Sequence, residues 1–371
     1  MKALRTYSMV GALLAIVSIF QYLTSGAYLE PRNVSNLLRQ MSVTGILSVG
    51  MVIIIVSGQI DLSVGSVVCF LGALITVLNT NLGFDPSLAF LIALGFGVFI
   101  GAIQGYLVSY QSVPAFIVTL GGMLVFRGAS MWITGNSTIS IQNNWLLLVG
   151  TSYLGKVPGW IFCVVVLSII LMTQTRNHFK QKGQFESLPT LAFCFQMMGL
   201  IAFVVGLMTV LSRYEGIPFP VLILFISMGM MHFISRNTVW GRHIYAVGGN
   251  REAAFLSGIN DRLRITTVFI LMGFFASIGG LILTARVGSA SPDAGQLLEL
   301  DAIASCVIGG TSLSGGIGTI PGAILGALVM ESLNNGMSMA NIEPFWQYIV
   351  KGLVLVIAVW ADSASRKKAY C

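Results

Sequence analysis

The sequence predicts an all-α polytopic membrane protein of about 10–12 transmembrane helices, with broken or re-entrant segments and both termini cytoplasmic. Two observations lead there. Mean hydropathy is +0.87, and 56% of the 371 residues are apolar while only 9% are charged. A water-soluble chain of that composition would expose large sticky patches, whereas a bilayer is a solvent in which it is stable. The second observation is that apolar runs near the ~20-residue spanning length recur along the whole chain.

These runs fall near 7–24, 42–58, 63–81, 87–110, 114–134, 159–174, 189–211, 219–235, 265–287, 316–334 and 345–361, with a shorter one at 299–311. The first has Lys2 and Arg5 ahead of it and small residues behind it, as a secretory signal would. With ten further spans following, an uncleaved first helix is the preferred reading. The short run at 299–311 is either a tilted span or a re-entrant half-helix.

Basic residues orient the spans. With the N-terminus inside, the inner segments 1–6, 175–188, 236–264 and 362–371 hold 13 of the 20 Lys and Arg residues: Lys2, Arg5, Arg176, Lys180, Lys182, Arg236, Arg242, Arg251, Arg262, Arg264, Arg366, Lys367 and Lys368. The outer loops hold mainly Arg32, Arg39, Lys156 and Arg213. An even number of crossings follows, which favours counting 299–311 as one. The net charge of +7 therefore reports topology and contact with anionic membrane lipids, and no nucleic-acid partner is expected. Cys69, Cys163, Cys194, Cys306 and Cys371 are scattered without metal-ligand spacing and read as small packing residues.

Much of the glycine lies inside spans. Gly97, Gly101 and Gly105 form a small-xxx-small run that lets helix backbones approach closely. Two segments resemble one another: Val56–Gly65, followed by Leu71–Ile75, and Ile308–Gly316, followed by Leu325–Val329. Each is an apolar run, a glycine-and-hydroxyl break, then another apolar run, the pattern by which broken helices mark a transport pathway in two related halves. Outside, Val34, Leu37, Leu38 and Met41 recur at helical spacing within 28–41, suggesting an amphipathic helix lying on the membrane surface. The polar, nearly uncharged section 135–158 is a second outer element. Either could face an external partner or simply connect spans.

The stretch Gly241–Gly258 is a polar island between apolar runs, within a long inner loop at 236–264. A hydrophilic insertion of this kind reads as a surface that receives a partner. No Gly-x-x-x-x-Gly-Lys-[Ser/Thr] sequence occurs, so nothing in the chain binds ATP by that route; no enzyme activity, cofactor or metal is expected. Protease and lipase motifs are absent as well.

Ionisable residues within spans are functional candidates by default: Asp61, Arg127, Asp301, Glu331 and Lys351. Asp61 sits at an inner helix start, where capping of free N–H groups competes with ion coupling. Glu331 and Lys351 are a possible internal pair. A neutral polyol would be met by Gln59, Ser63, Thr119, Thr311, Ser314, Asn334 and Asn335, with Phe116 and Trp346 offering aromatic faces. Singly, each is as readily helix glue or an interfacial anchor.

Four stretches carry a resemblance: QIDLSVGS (Gln59–Ser66), VPAFIVTLGGMLVFRG (Val113–Gly128), the island GRHIYAVGGNREAAFLSG (Gly241–Gly258) and LDAIASCVIGGTSLSGG (Leu300–Gly316). Together they resemble bacterial sugar ABC-importer permeases of the ribose/xylose/branched-chain amino acid group, most nearly the xylose type. The likeness extends from Gly26–Arg39 to Phe345–Gly352. One departure is Gln59, where the family pattern leads one to expect an acidic residue. The resemblance implies a single permease domain over 1–371 in the bacterial inner membrane and a homodimer of permeases. It also implies a cytoplasmic ABC ATPase and a periplasmic sugar-binding protein as partners. In such permeases the long inner loop carries the coupling helix, which places ATPase coupling on Arg242, Gly248, Gly249, Asn250, Glu252, Ala253, Ala254 and Gly258. The pathway then falls to Gln59, Asp61, Ser63, Phe116, Thr119, Thr311, Ser314, Asn334 and Asn335. Two other readings stand beside it: an ion-coupled secondary transporter using Asp61 and Asp301, and a non-transporting membrane scaffold that docks a partner through 236–264.

Overall fold

The computed structural model describes residues 2–181 and 190–370; Met1, residues 182–189, with Lys182 of the expected inner loop among them, and Cys371 lie outside the described residues. Fifteen α-helices are found among them. In chain order they are α1 (Lys2–Leu23), α2 (Pro31–Val56), α3 (Val64–Thr80), α4 (Pro86–Ser109), α5 (Ala115–Thr134), α6 (Asn144–Thr151), α7 (Lys156–Gln181), α8 (Thr190–Ser212), α9 (Phe219–Asn237), α10 (Val239–Gly249), α11 (Arg251–Leu256), α12 (Asp261–Val287), α13 (Leu298–Ile308), α14 (Ile320–Met339) and α15 (Pro344–Tyr370). Seven are long and apolar enough to cross a membrane: α2, α4, α5, α9 and α12, and the apolar stretches of α7 and α8. The remaining expected spans coincide with α1, α3, α14 and α15, and the short run with α13.

Two helices form the centre. Most of the apolar stretch of α2 (89%) and of α12 (78%) is buried inside the protein, against 11% for α5 and for α7. The others are therefore arranged round α2 and α12, with α5 and α7 presenting apolar side chains outward. The spacing Gly97, Gly101, Gly105 explains the contact between α4 and α12. A side chain on Gly101 would overlap the Phe269 carbonyl, and one on Gly273 would overlap that of Gly97. The two backbones touch directly, and Ser277 adds a hydrogen bond from its Oγ to Ala93 O at 3.3 Å.

The outer segment 28–41 differs from expectation. Residues 31–41 are the outer continuation of the second span and not a separate helix on the membrane surface. Nothing breaks the helix between them: Ser42 donates back to Leu38 O at 2.7 Å, and Leu37 and Met41 are buried. Their apolar stripe is covered by neighbouring helices instead of lipid. Section 135–158 contains α6, whose Gly150 abuts the Ala285–Arg286 backbone at the end of α12. Two short strands flank α6 and pair with 289–290 and 217–218. Arg127 donates to the carbonyls of Pro292 and Ala294, both at 2.9 Å, and so anchors the loop ahead of α13.

Candidate coupling surface and translocation pathway

The polar island is two helices joined by an elbow. Thr238 caps α10 by accepting from Gly241 N at 3.2 Å. Asn250 ends α10 with an extended backbone and caps α11, its Oδ1 accepting from Ala253 N at 2.9 Å. Glu252, in the first turn of α11, complements the positive helix end. Gly258 closes the unit with φ +80, donating to Phe255 O at 2.9 Å. Apolar spacing turns Gly241, Ile244, Val247 and Ala254 inward. Arg242, Gly249, Asn250, Glu252, Ala253 and Gly258 are exposed, so six of the eight coupling candidates share a free surface, while Ala254 and Gly248 face the protein. Composition hid two neighbours on the same unit: Phe255 and Leu256 are 64% and 79% exposed. The signal was there, since two large apolar side chains in a short polar island are unlike ordinary loop residues. A cavity of about 610 Å³ opens beside them, lined by Phe255, Gly258, Asn260 and Arg262 among others.

Gly248 seats this unit at the meeting point of the two helix breaks. The first break follows α2: Ser57 turns its Oγ to Ile54 O at 2.7 Å, and Gly58 has φ +79. The second follows α13, with Gly310, Gly315 and Gly316 all at positive φ. Gly316 N donates to Val56 O at 2.9 Å, so the breaks are bonded to one another. A side chain on Gly248 would overlap that same Val56 carbonyl and crowd Gly316 N. Tyr245 adds a hydrogen bond from its hydroxyl to Gly318 O at 2.8 Å. Burial raises the pKa of this hydroxyl above its usual value, keeping it a donor.

The pathway candidates separate into distinct places. At the first break Asp61 is buried, its Oδ1 accepting from Ser63 N at 2.8 Å and Ser63 Oγ at 2.7 Å. Gln104 of α4, which sequence reasoning passed over, donates to Ser63 Oγ at 2.9 Å; an amide inside an otherwise apolar span was its only signal. Thr119 is buried with its Oγ1 directed to Ala115 O at 2.9 Å, and Gln59 is half-buried. Only about 10 Å³ of space remains beside Asp61 and Gln104, so this group is packed shut. At the second break Thr311 is buried and Ser314 exposed. Phe116 stands apart, 55% exposed on the outward face of α5.

Asn334 and Asn335 are neighbours with different tasks. Asn335 exchanges two side-chain hydrogen bonds with Asn33, at 3.0 and 3.2 Å, and ties α14 to α2. Asn334 instead donates to Asp301 Oδ2 at 3.2 Å. Lys351 pairs with that carboxylate oxygen at 2.8 Å, so its partner is Asp301 and not Glu331. Glu331 accepts from Thr44. Asp301 is thus engaged through Oδ2, by Lys351 and Asn334, and Glu331 by Thr44.

The helices are thus broken after α2 and after α13, the two breaks are bonded to one another, and the polar two-helix unit is docked where they meet. The family described as branched-chain amino acid transport system / permease component matches residues 33–359, and the chain belongs to it. It is 45% identical over 367 residues to the xylose transport system permease protein XylH of Escherichia coli K12, covering 99% of this chain and 93% of that one. The XylH of Haemophilus influenzae is 44% identical over 367 residues, 98% of each. The ribose import permease protein RbsC of Bacillus subtilis is 34% identical over 356 residues, 96% of this chain and 91% of the other. No solved structure matches. The chain is accordingly a multi-pass protein of the bacterial inner membrane and a transport subunit.

Proposed function

We propose that this chain is the membrane permease subunit of an ATP-binding-cassette importer for D-xylose. It works as a homodimer, receives sugar from a periplasmic binding protein and is driven by a separate cytoplasmic ATPase. The observation that carries the coupling reading is Gly248 held between Val56 O and Gly316 N. The free surface of α10 and α11, formed by Arg242, Gly249, Asn250, Glu252, Ala253, Phe255, Leu256 and Gly258, receives the ATPase. Displacement of that unit acts on both helix breaks at once, since Gly248 and Tyr245 touch the segments following α2 and α13. The protein then has two arrangements, and ATP binding in the partner biases the equilibrium between them. Asp61, Ser63 and Thr119 on one side, and Thr311 and Ser314 on the other, form the polar gate, closed in this arrangement. Xylose as the substrate rests on the likeness to the XylH proteins over nearly the whole chain.

Uptake of radiolabelled D-xylose into vesicles carrying this chain, its ATPase and its binding protein tests the reading. Uptake is expected to need internal ATP and both partners, and to survive collapse of ion gradients. Gradient-driven uptake by this chain alone would return Asp61 and Asp301 to the role of ion ligands. ATP-dependent uptake of a different sugar, with none of xylose, would keep the mechanism and discard the substrate.

A further inference from the structure

A polar cavity of about 230 Å³ lies between α2, α12, α13, α14 and α15, at the ends the topology places outside. Its polar lining includes Gln40, Arg286, Asp301, Glu331, Asn334 and Lys351. In a membrane protein such a concentration of ionisable groups is costly, because each buried charge forfeits its hydration. The formal charges, two acidic and two basic, cancel.

The groups do not satisfy one another. Lys351 and Asn334 both direct their donors to Oδ2 of Asp301, leaving its Oδ1 buried with no partner. Asp301 is 3% exposed. Asn334 Oδ1 and Arg286 Nε are unpartnered too. A buried polar atom left without a partner costs about 1–3 kcal/mol, so a site with two spare acceptors and a spare donor is built to be filled.

We propose that this cavity binds one neutral polyhydroxylated molecule of monosaccharide size, the transported sugar held within the protomer; this rests on the function proposed above. A lone cation there would meet Lys351 and Arg286, and a lone anion would meet Asp301 and Glu331, so neither is favoured. Hydroxyl groups both donate and accept, and so complement a lining that mixes carboxylate, amide, ammonium and guanidinium groups. Val43, Leu283 and Leu298 offer apolar walls for the C–H surface. At ~30 Å³ per liquid water the space equals about eight waters, enough for a pentose of about ten non-hydrogen atoms. Asp301 lies in the first turn of the half-helix α13, and about 10 Å further along, at 1.5 Å per residue, its inner end leads into the break that bonds Val56 and touches Gly248. Occupancy of the site and position of the coupling unit therefore act on the same short helix.

The test uses the full chain with its ATPase and binding protein in liposomes. Single cysteines are introduced as Asn334→Cys and, on a different helix, Gln40→Cys, and modified by a small neutral thiol reagent, with the unaltered chain as background. D-Xylose is expected to slow modification of both thiols about tenfold, the effect of roughly one hydrogen bond's free energy, and maltose to leave it unchanged. Asn334→Leu, and the charge-removing pair Asp301→Asn with Lys351→Gln, are expected to lower xylose uptake about tenfold per inserted permease. Unslowed modification at both positions, together with undiminished uptake per inserted permease, would overturn the site. If the unaltered system imports xylose with ATP while these results are negative, only this site fails. Protection and ATP-driven uptake by another monosaccharide would keep the site and remove xylose. Gradient-driven uptake without ATP would remove the importer reading and this one with it.

Discussion

Gly248 shows how much one missing side chain decides. Any Cβ at that position overlaps the Val56 carbonyl, the acceptor that holds Gly316 N. Gly248→Val is expected to leave membrane insertion intact and to reduce ATP-driven uptake at least tenfold, a change of about 1.4 kcal/mol or more, because the breaks must separate to admit it. Gly249→Trp and Glu252→Lys lie on the free side of the same unit. They should abolish co-purification of the ATPase; normal stimulation of the ATPase by either variant would remove the coupling surface from this position. Tyr245→Phe removes one hydrogen bond to Gly318 O and should cost about 1 kcal/mol of coupling. The sign with pH follows from burial, which raises the hydroxyl's pKa on folding. Its contribution is complete below the ordinary tyrosine range and is lost as pH rises through the raised value. Uptake in Tyr245→Phe and in the unaltered protein should therefore keep a constant ratio from pH 6 to about 9, measurable in vesicles. By contrast Arg251 and Asp261, 2.6 Å apart, form a pair in which the arginine is about half exposed. Such a pair contributes about 0–1 kcal/mol and is a weak target.

Between elements, the contact of α4 with α12 is built on a glycine repeat visible in the sequence. Gly101→Leu is expected to destabilise the permease by about 1–3 kcal/mol or more through overpacking, lowering its thermal midpoint in detergent. An unchanged midpoint would mean that the two helices do not approach as Gly101 and Phe269 indicate. The repeat reads as a packing face from spacing alone, because small residues every fourth position cover one side of a helix. Which helix lies against that face was not readable, since Gly273 is far away in the chain. The same holds for Val34, Leu37, Leu38 and Met41. Their period was correct, but what covered the stripe was protein and not headgroups. Only neighbours brought in by the fold could tell a surface helix from the outer turn of a span.

At the scale of the whole molecule, α2 and α12 make the buried centre, and α5 and α7 leave broad apolar faces outward. Phe116, Leu124 and Trp132 are among the exposed residues of α5. A homodimer is expected to cover part of such a face and lipid the remainder. Light scattering of the assembled importer should report two permease copies, and a single copy with full activity would exclude the dimer. The order of the spans was legible, because each run of apolar residues had to be long enough to cross lipid; the extent of α2 was not, since its outer turns carry polar residues. The island was legible as a separate polar unit for the complementary reason, being polar where nothing required it.

What the chain determined by itself was therefore its partition between lipid and water, the positions of its two breaks, the glycine packing face and the family to which it belongs. These are local or repeated patterns, written in consecutive residues. The tertiary structure decided which distant groups share one space. It joined Val56 to Gly316 and set Gly248 against both, and it paired Lys351 with Asp301. It gave Asn334 and Asn335 different partners although they are neighbours, since adjacent positions on a helix point about 100° apart. Contacts across hundreds of residues depend on how helices cross, and helix crossings are chosen by side-chain fit over whole faces, which no short stretch of sequence contains.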